Sequence, residues 1–199
     1  MKHRRKSKKH RQASKAIGII AEDNSDVQVI NELIKKIAKA AYNIKFFVGG
    51  GSGKIIDKCF AWAQNLRDQG CRYLVRVHDL DTATITNLRA ALQSALNPSP
   101  ITTHIIVIPV REIEAWLLAD QDAITKAMKL KNLLNQVANP EAIQTPKEYL
   151  GRLVYARSGH TRRYVNTIHN PQIAAVCTLS KLRRCQSFVP LDQFISGHI

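Results

Sequence analysis

With 199 residues and 22.3 kDa, the chain is long enough to bury about two-thirds of its unfolded surface. Its 45% hydrophobic and 23% charged residues exclude collagen-like, coiled-coil and wholly disordered classes. Thirty Lys and Arg against 15 Asp and Glu give a net charge of +15, which favours a polyanionic partner such as nucleic acid or an anionic membrane face.

Residues 1–15 hold eight Lys or Arg and no acid, without apolar periodicity, so a disordered basic tail is expected there. Residues 16–21, Ala-Ile-Gly-Ile-Ile-Ala, form a short run bounded by polar residues, the pattern of a strand buried on both faces. Ser25 with Gln28 three positions on reads as a capping box, followed by Ile30, Leu33, Ile34 and Ile37 at helical spacing. A second run at 44–48 leads through Gly49-Gly50-Gly51-Ser52-Gly53 into a helix capped by Ser52. That glycine run is not a Walker motif, because Val48 and Ile55 stand where glycine and Ser/Thr are required. It is either a flexible turn or a loop that, with Lys54, contacts a phosphate at a helix N-terminus.

A third strand is predicted at 73–77, a helix at 84–96 broken by Asn97-Pro98-Ser99-Pro100, a fourth strand at 103–110 and a helix at 115–119. This alternation implies right-handed crossovers and an α/β fold with a parallel sheet between helices. Beyond residue 121 strand signals stop. Thr145-Pro146-Lys147-Glu148 reads as a capping box with proline at the first helical position, and Pro171 as the opening of another helix. The expected organisation is a tail (1–15), an α/β domain (16–120) and a helical C-terminal annex (121–199).

No apolar stretch approaches the roughly 20 residues that span a bilayer. Cysteines 59, 71, 177 and 185 form no C-x-x-C pair. Reduced thiols in a cytoplasmic protein, with no membrane association, are therefore expected.

Seven of the 15 acids, Glu22, Asp23, Asp26, Asp79, Asp81, Glu112 and Glu114, fall at the C-terminal ends of the first, third and fourth predicted strands. That edge is where open α/β sheets bind ligands. Clustered carboxylates in a basic chain are most simply relieved by a cation, and Mg²⁺ or Mn²⁺ suits oxygen donors. Asp79 and Asp81 point the same way if their segment is extended, which makes them the first candidate ligands. Each acid also has a plainer role at a helix start: Asp23, Asp26, Glu112 and Glu114 sit where the helix dipole favours negative charge. His78 reads as a packed residue.

A glutamate after the first strand (Glu22) and Asp-Leu-Asp at 79–81 after the third resemble the TOPRIM domain of topoisomerases, bacterial primases and several nucleases. Residues 110–120, Val-Arg-Glu-Ile-Glu-Ala-Trp-Leu-Leu-Ala-Asp, with the late Cys185-Gln186-Ser187-Phe188, resemble a bacterial TOPRIM-related family of unknown function (domain of unknown function 4276). The resemblance implies a four-stranded parallel sheet of Rossmann-like form, Mg²⁺ on Asp79 and Asp81, and Glu22 as general acid/base or a further metal contact. It places Glu112 and Glu114 in the same acidic pocket. It departs at Asp23, where TOPRIM domains commonly carry glycine. The chain lacks the tyrosine-bearing domain of a topoisomerase and the zinc module of a primase.

The function expected is metal-dependent phosphodiester hydrolysis of nucleic acid, with Asp79, Asp81 and Glu22 as catalytic residues. Lys54, Arg152, Arg157, Arg162, Arg163, Lys181, Arg183 and Arg184 would hold phosphates. Relatives of this type are read as antiviral (phage) defence effectors held by an ATPase partner. The alternative is a non-catalytic subunit that binds nucleic acid or recruits a partner. A response-regulator receiver also gathers acids at this edge, but no lone phospho-acceptor aspartate and no lysine after a fifth strand are present.

Overall fold

A computed structural model describes residues 15–50 and 52–199; the predicted basic tail, up to residue 14, lies outside the described residues. Four strands, β1 (Lys15–Ala21), β2 (Tyr42–Val48), β3 (Tyr73–Val77) and β4 (Thr103–Val107), form one all-parallel sheet in the order β2-β1-β3-β4. The helices between them are α1 (Asn24–Ile37), α2 (Ser52–Asp68) and α3 (Ile85–Ser94). After β4 the chain is helical: α4 (Glu114–Leu117), α5 (Gln121–Ala127), a 3-10 turn (Pro140–Ala142), α6 (Pro146–Arg157), α7 (Asn166–Val176), α8 (Leu179–Leu182) and α9 (Val189–His198). Among the described residues no helix is long and apolar enough to cross a membrane.

The isoleucine-rich β1 takes a central place because both its faces are covered: Ile17, Ile19 and Ile20 are wholly buried. Ile17 and Ile19, with Val75 and Val77 of β3, pack against Val29, Ile30 and Leu33 of α1. That core continues without a break into Leu150, Ile173, Phe188 and Ile195, so the C-terminal helices share one interior with this face of the sheet. On the other face Ile20 and Leu74 meet Ile55, Cys59 and Leu66 of α2. A Cβ at Gly18 would stand 2.9 Å from Leu66 Cδ1, so glycine is what lets α2 lie this close to β1. All four cysteines are buried and unbridged.

Several local expectations are corrected. The capping box of α1 is Asp23 with Asp26, not Ser25 with Gln28: the Asp26 N–H donates to Asp23 Oδ1 (3.1 Å) and the Asp23 N–H to Asp26 Oδ2 (3.3 Å). Ser25 is drawn instead towards α7, where its hydroxyl donates to the Asn166 carbonyl. Thr145 precedes α6 without a side-chain cap, and Pro171 lies inside α7 rather than opening it. β4 stops at Val107, before the Ile108-Pro109 step, but β3 and β4 stay laced beyond it through Leu80 N–H to Pro109 O (3.0 Å) and Asp81 N–H to Arg111 O (3.0 Å).

Candidate active site

In a 2-1-3-4 sheet the chain leaves β1 towards β2 on one side and leaves β3 towards β4 on the other. The C-terminal ends of β1 and β3 therefore flank the crevice where the winding direction reverses, the ligand position of open α/β sheets. Glu22 follows β1 directly, and His78 and Asp79 follow β3. Glu22 Oε1 accepts the Asp79 N–H (3.1 Å), joining the two strand ends, and His78 Nδ1 stands 3.1 Å from the same oxygen. His78 Nδ1 also lies 2.9 Å from the Asp79 carbonyl. Both neighbours are acceptors, so Nδ1 carries the proton and the imidazole fixes the glutamate. The glycine loop closes over the same point: Gly49 N–H donates to Ala21 O and Gly50 N–H to Glu22 O (2.9 Å), with Gly50 at φ 64. Lys54 is exposed in the first turn of α2.

Around Asp79 gather Asp26 from α1 and Glu114 from α4, 7% and 3% exposed, besides Glu22. Burial, then repulsion by Asp26, Glu114, Glu22 and Asp81, pushes the Asp79 carboxyl far above the ordinary range. Asp26 is pushed up to about 8, by burial first and then by Asp23. Glu22 is raised by burial, with His78 and the Asp79 N–H acting against it. Glu114 is also raised by burial, although the Asn170 amide donates to its Oε1 (3.0 Å). Asp79 Oδ1 is enclosed and has no hydrogen-bond partner.

Asp81 departs from its expected geometry. Its backbone sits at φ 48 and its side chain is exposed, so the Asp-Leu-Asp segment is not extended and the two carboxylates are not parallel. The turn is fixed from both sides, because Arg111, itself at φ 65, donates its Nη1 to the Asp81 carbonyl (2.8 Å). Glu112 is turned to α6, where Oε2 accepts the Lys147 N–H (2.8 Å) and supplies the cap that Thr145 does not.

The residues of the 110–120 signature are thereby assigned places. Trp116 is fully buried, donates Nε1–H to Ser187 Oγ (2.7 Å) and meets Phe188 edge-on at 5.4 Å. Glu141 accepts from the Gln186 and Ser187 N–H groups (2.9 and 3.0 Å), tying the Cys-Gln-Ser-Phe segment to the same clasp. Asp120 caps α5 and accepts the Thr178 N–H (2.8 Å) and Lys181 Nζ (3.0 Å). Of the signature acids, Glu114 faces the carboxylate cluster.

Two contributors carried no sequence signal. Tyr164 donates its hydroxyl to Glu114 Oε1 (3.1 Å), and Asn170 bridges Glu114 to Ser25. Both lie 50 or more positions from Glu114, in a segment without a motif. Asp26 was legible both as a rim acid and as a helix-start acid, and the structure gives it both places. The expected phosphate-holding cations divide. Lys181 binds Asp120 and Asp122, Arg183 is bidentate on Asp192, Arg184 grips the Val137 and Ala138 carbonyls, and Arg152 pairs loosely with Glu148 on the surface. Arg157, Arg162 and Arg163 are exposed and make no ion pair among the described residues.

Among the described residues no three His, Cys, Asp or Glu side chains form a ready cage for a metal ion. The donor set is nevertheless all carboxylate oxygen around one unsatisfied, buried Oδ1. This matches a hard ion that takes one or two carboxylates and fills its remaining positions with water and phosphate oxygen.

Compared with known proteins, residues 21–195 match the family described as "Domain of unknown function (DUF4276)". No curated protein and no solved structure matches.

Proposed function

The chain belongs to the DUF4276 family, a family without an assigned activity, and from that premise and the geometry above we propose that it hydrolyses nucleic-acid phosphodiesters with a divalent cation, as a TOPRIM-like nuclease. One observation carries the reading. Four carboxylates from separate elements, Glu22, Asp26, Asp79 and Glu114, meet at the β1/β3 crevice, and a buried oxygen of Asp79 is left without a partner. A fold seeking stability alone does not concentrate negative charge in a desolvated crevice. Carboxylates perturbed by burial and by specific charged neighbours are candidates for a functional site.

Mg²⁺ or Mn²⁺ would be held by Asp79, with Glu22, Asp26, Asp81 or Glu114 completing the protein side, and would supply charge neutralisation at the phosphate. The protein's own groups divide the rest. Glu22, raised by burial yet held on Oε1 by the Asp79 N–H and His78, presents Oε2 as the proton-handling atom. His78, whose Nδ1 stands 3.1 Å from Glu22 Oε1, is a positioning residue. Tyr164 and Asn170 hold Glu114, and Lys54, exposed in the first turn of α2, offers a cation to a phosphate, whereas the Gly49 and Gly50 amides are spent on the Ala21 and Glu22 carbonyls.

The test is incubation of the purified protein with end-labelled single- and double-stranded DNA and RNA, with Mg²⁺, Mn²⁺ or EDTA. Metal-dependent cleavage abolished in Asp79→Asn and reduced at least a hundredfold in Glu22→Gln is expected. Cleavage that survives both substitutions excludes this site as its source. Binding without cleavage, also with an ATPase partner supplied, moves the protein to the non-catalytic class.

A further inference from the structure

The C-terminal helices build a second charged feature. The loop after α5 and the loop after α6 enclose two adjoining cavities of about 310 and 260 Å³. Lys129, Arg162, Arg163 and His169 line the first; Lys129, Lys131, Arg157 and Arg162 line the second. Lys129 and Arg162 belong to both walls, and neither wall includes an Asp or Glu. Among the described residues none of these five Lys and Arg side chains forms an ion pair, whereas Lys181 and Arg183 nearby in sequence are internally matched. Five unmatched cations converging on one cleft repel one another, and a polyanion relieves that repulsion.

Two further observations give the cleft its character. Lys129 (φ 50) and His160 (φ 64) are non-glycine residues in the left-handed region, one in each loop, a conformation that costs energy and clusters at binding sites. His160 lies in the chain between Gly159 and Thr161, which line the second cavity, and its ring stands 4.8 Å from that of Tyr155, which is 44% exposed and offers an aromatic surface. Cationic grooves edged by aromatics suit single strands, whose unpaired bases stack. The chain links the cleft to the carboxylates: Arg162 and Arg163 run directly into Tyr164, whose hydroxyl reaches Glu114 and whose ring stacks on His169 at 6.0 Å.

We propose that this double cleft holds the sugar-phosphate backbone of a single-stranded nucleic acid, one phosphate in each cavity, with Tyr155 and His160 stacking a base. Its role in delivering the strand to the carboxylates rests on the hydrolase reading; the binding does not.

Fluorescence anisotropy of labelled single-stranded and duplex oligonucleotides, in EDTA and across a salt series, separates the two. Arg162→Glu with Arg163→Glu, and Lys131→Glu with Arg157→Glu, are each expected to weaken single-strand binding about tenfold or more. Each pair is also expected to flatten the dependence on log salt by roughly 0.7 per lost phosphate contact. Tyr155→Ala is expected to weaken strand binding about tenfold. The charge-matched pair Arg67→Glu with Arg72→Glu, in the cavity of about 360 Å³ at the opposite end of the sheet, should stay near wild type. Thermal midpoints confirm that every variant folds. Equal losses in cleft and control pairs, equal affinity for duplex and strand, or no binding by the wild type overturn the proposal. Failed cleavage with intact, cleft-dependent binding overturns only the hydrolase reading.

Discussion

The carboxylate crevice predicts a pH dependence that a single substitution removes. In the folded protein Asp26 titrates near 8, driven up by burial and then by Asp23; in the unfolded chain it titrates at its ordinary value near 3.8. Between these values the folded state keeps a proton that the unfolded state has released. The stabilisation is complete below the lower value and is lost as pH rises through the upper. The slope is about −1.4 kcal/mol per pH unit, so moving from pH 5.5 to 7.5 without divalent cation costs roughly 2–3 kcal/mol. For a domain of this size that lowers Tm by roughly 5–10 °C. Asp26→Asn keeps an oxygen for the Asp23 N–H and carries no proton to lose. Its Tm should fall less over the same interval, by about the whole of that amount. Thermal melts of both proteins at the two pH values decide the matter, and parallel curves would refute the crevice electrostatics. If the crevice holds the proposed divalent cation, that ion competes with the proton, and at a Kd near 1 mM about 10 mM Mg²⁺ is expected to return about 1.4 kcal/mol at pH 7.5.

Other consequences follow from the same structure. Asp120→Ala removes the α5 cap and strands the Thr178 N–H, which should cost roughly 2–4 kcal/mol by urea titration. Burial pushes Asp120 up, but the Thr178 N–H, Lys181 and the Ala123 N–H outweigh it and hold the group below its ordinary value. Its contribution is therefore present above about pH 4 and lost as pH falls through the lowered value, a loss absent from the variant. Arg76 is fully buried, with Nη1 on the Leu92 carbonyl (2.8 Å) and Nε and Nη2 unpartnered, so Arg76→Met should raise stability by roughly 1–4 kcal/mol; a lower Tm contradicts this account. Burial pushes the four thiols up, Cys185 to about 12, so native protein should react with none of a thiol reagent's equivalents and urea-unfolded protein with four.

The strands were legible because a parallel sheet covered on both faces writes itself as short isoleucine- and valine-rich runs, and β1 and β3 carry that signature undiluted. The rim position of Glu22, Asp79 and Glu114 followed from the strand ends. What escaped is what tertiary contact decides. Asp23/Asp26 and Ser25/Gln28 have the same spacing, and only the pull of α7 on Ser25 selects between them. Asp-Leu-Asp reads as extended until the Arg111 contact bends it at Asp81. Pro171 sits in the second turn of α7 rather than at its start, one residue after Asn170, whose amide is committed to Glu114. Tyr164 and Asn170 have no local pattern because their partner arrives from another third of the chain.

The net charge conceals a separation that bears on mechanism. Residues 16–150 hold 15 basic against 14 acidic residues, so composition alone shows a neutral middle. In space four acids of that segment, Glu22, Asp26, Asp79 and Glu114, gather at the β1/β3 crevice, while five cations without an ion pair among the described residues line the cavities beside the loops after α5 and α6. Each cluster opposes folding through desolvation or repulsion, and the Tyr164 segment joins them. A phosphate backbone neutralises the cations but repels the carboxylates, so a strand held in the cleft enters the crevice only with a cation between them. Nucleic acid and divalent metal should therefore bind cooperatively: Asp79→Asn should leave strand affinity in EDTA unchanged and abolish the gain that Mg²⁺ gives the wild type.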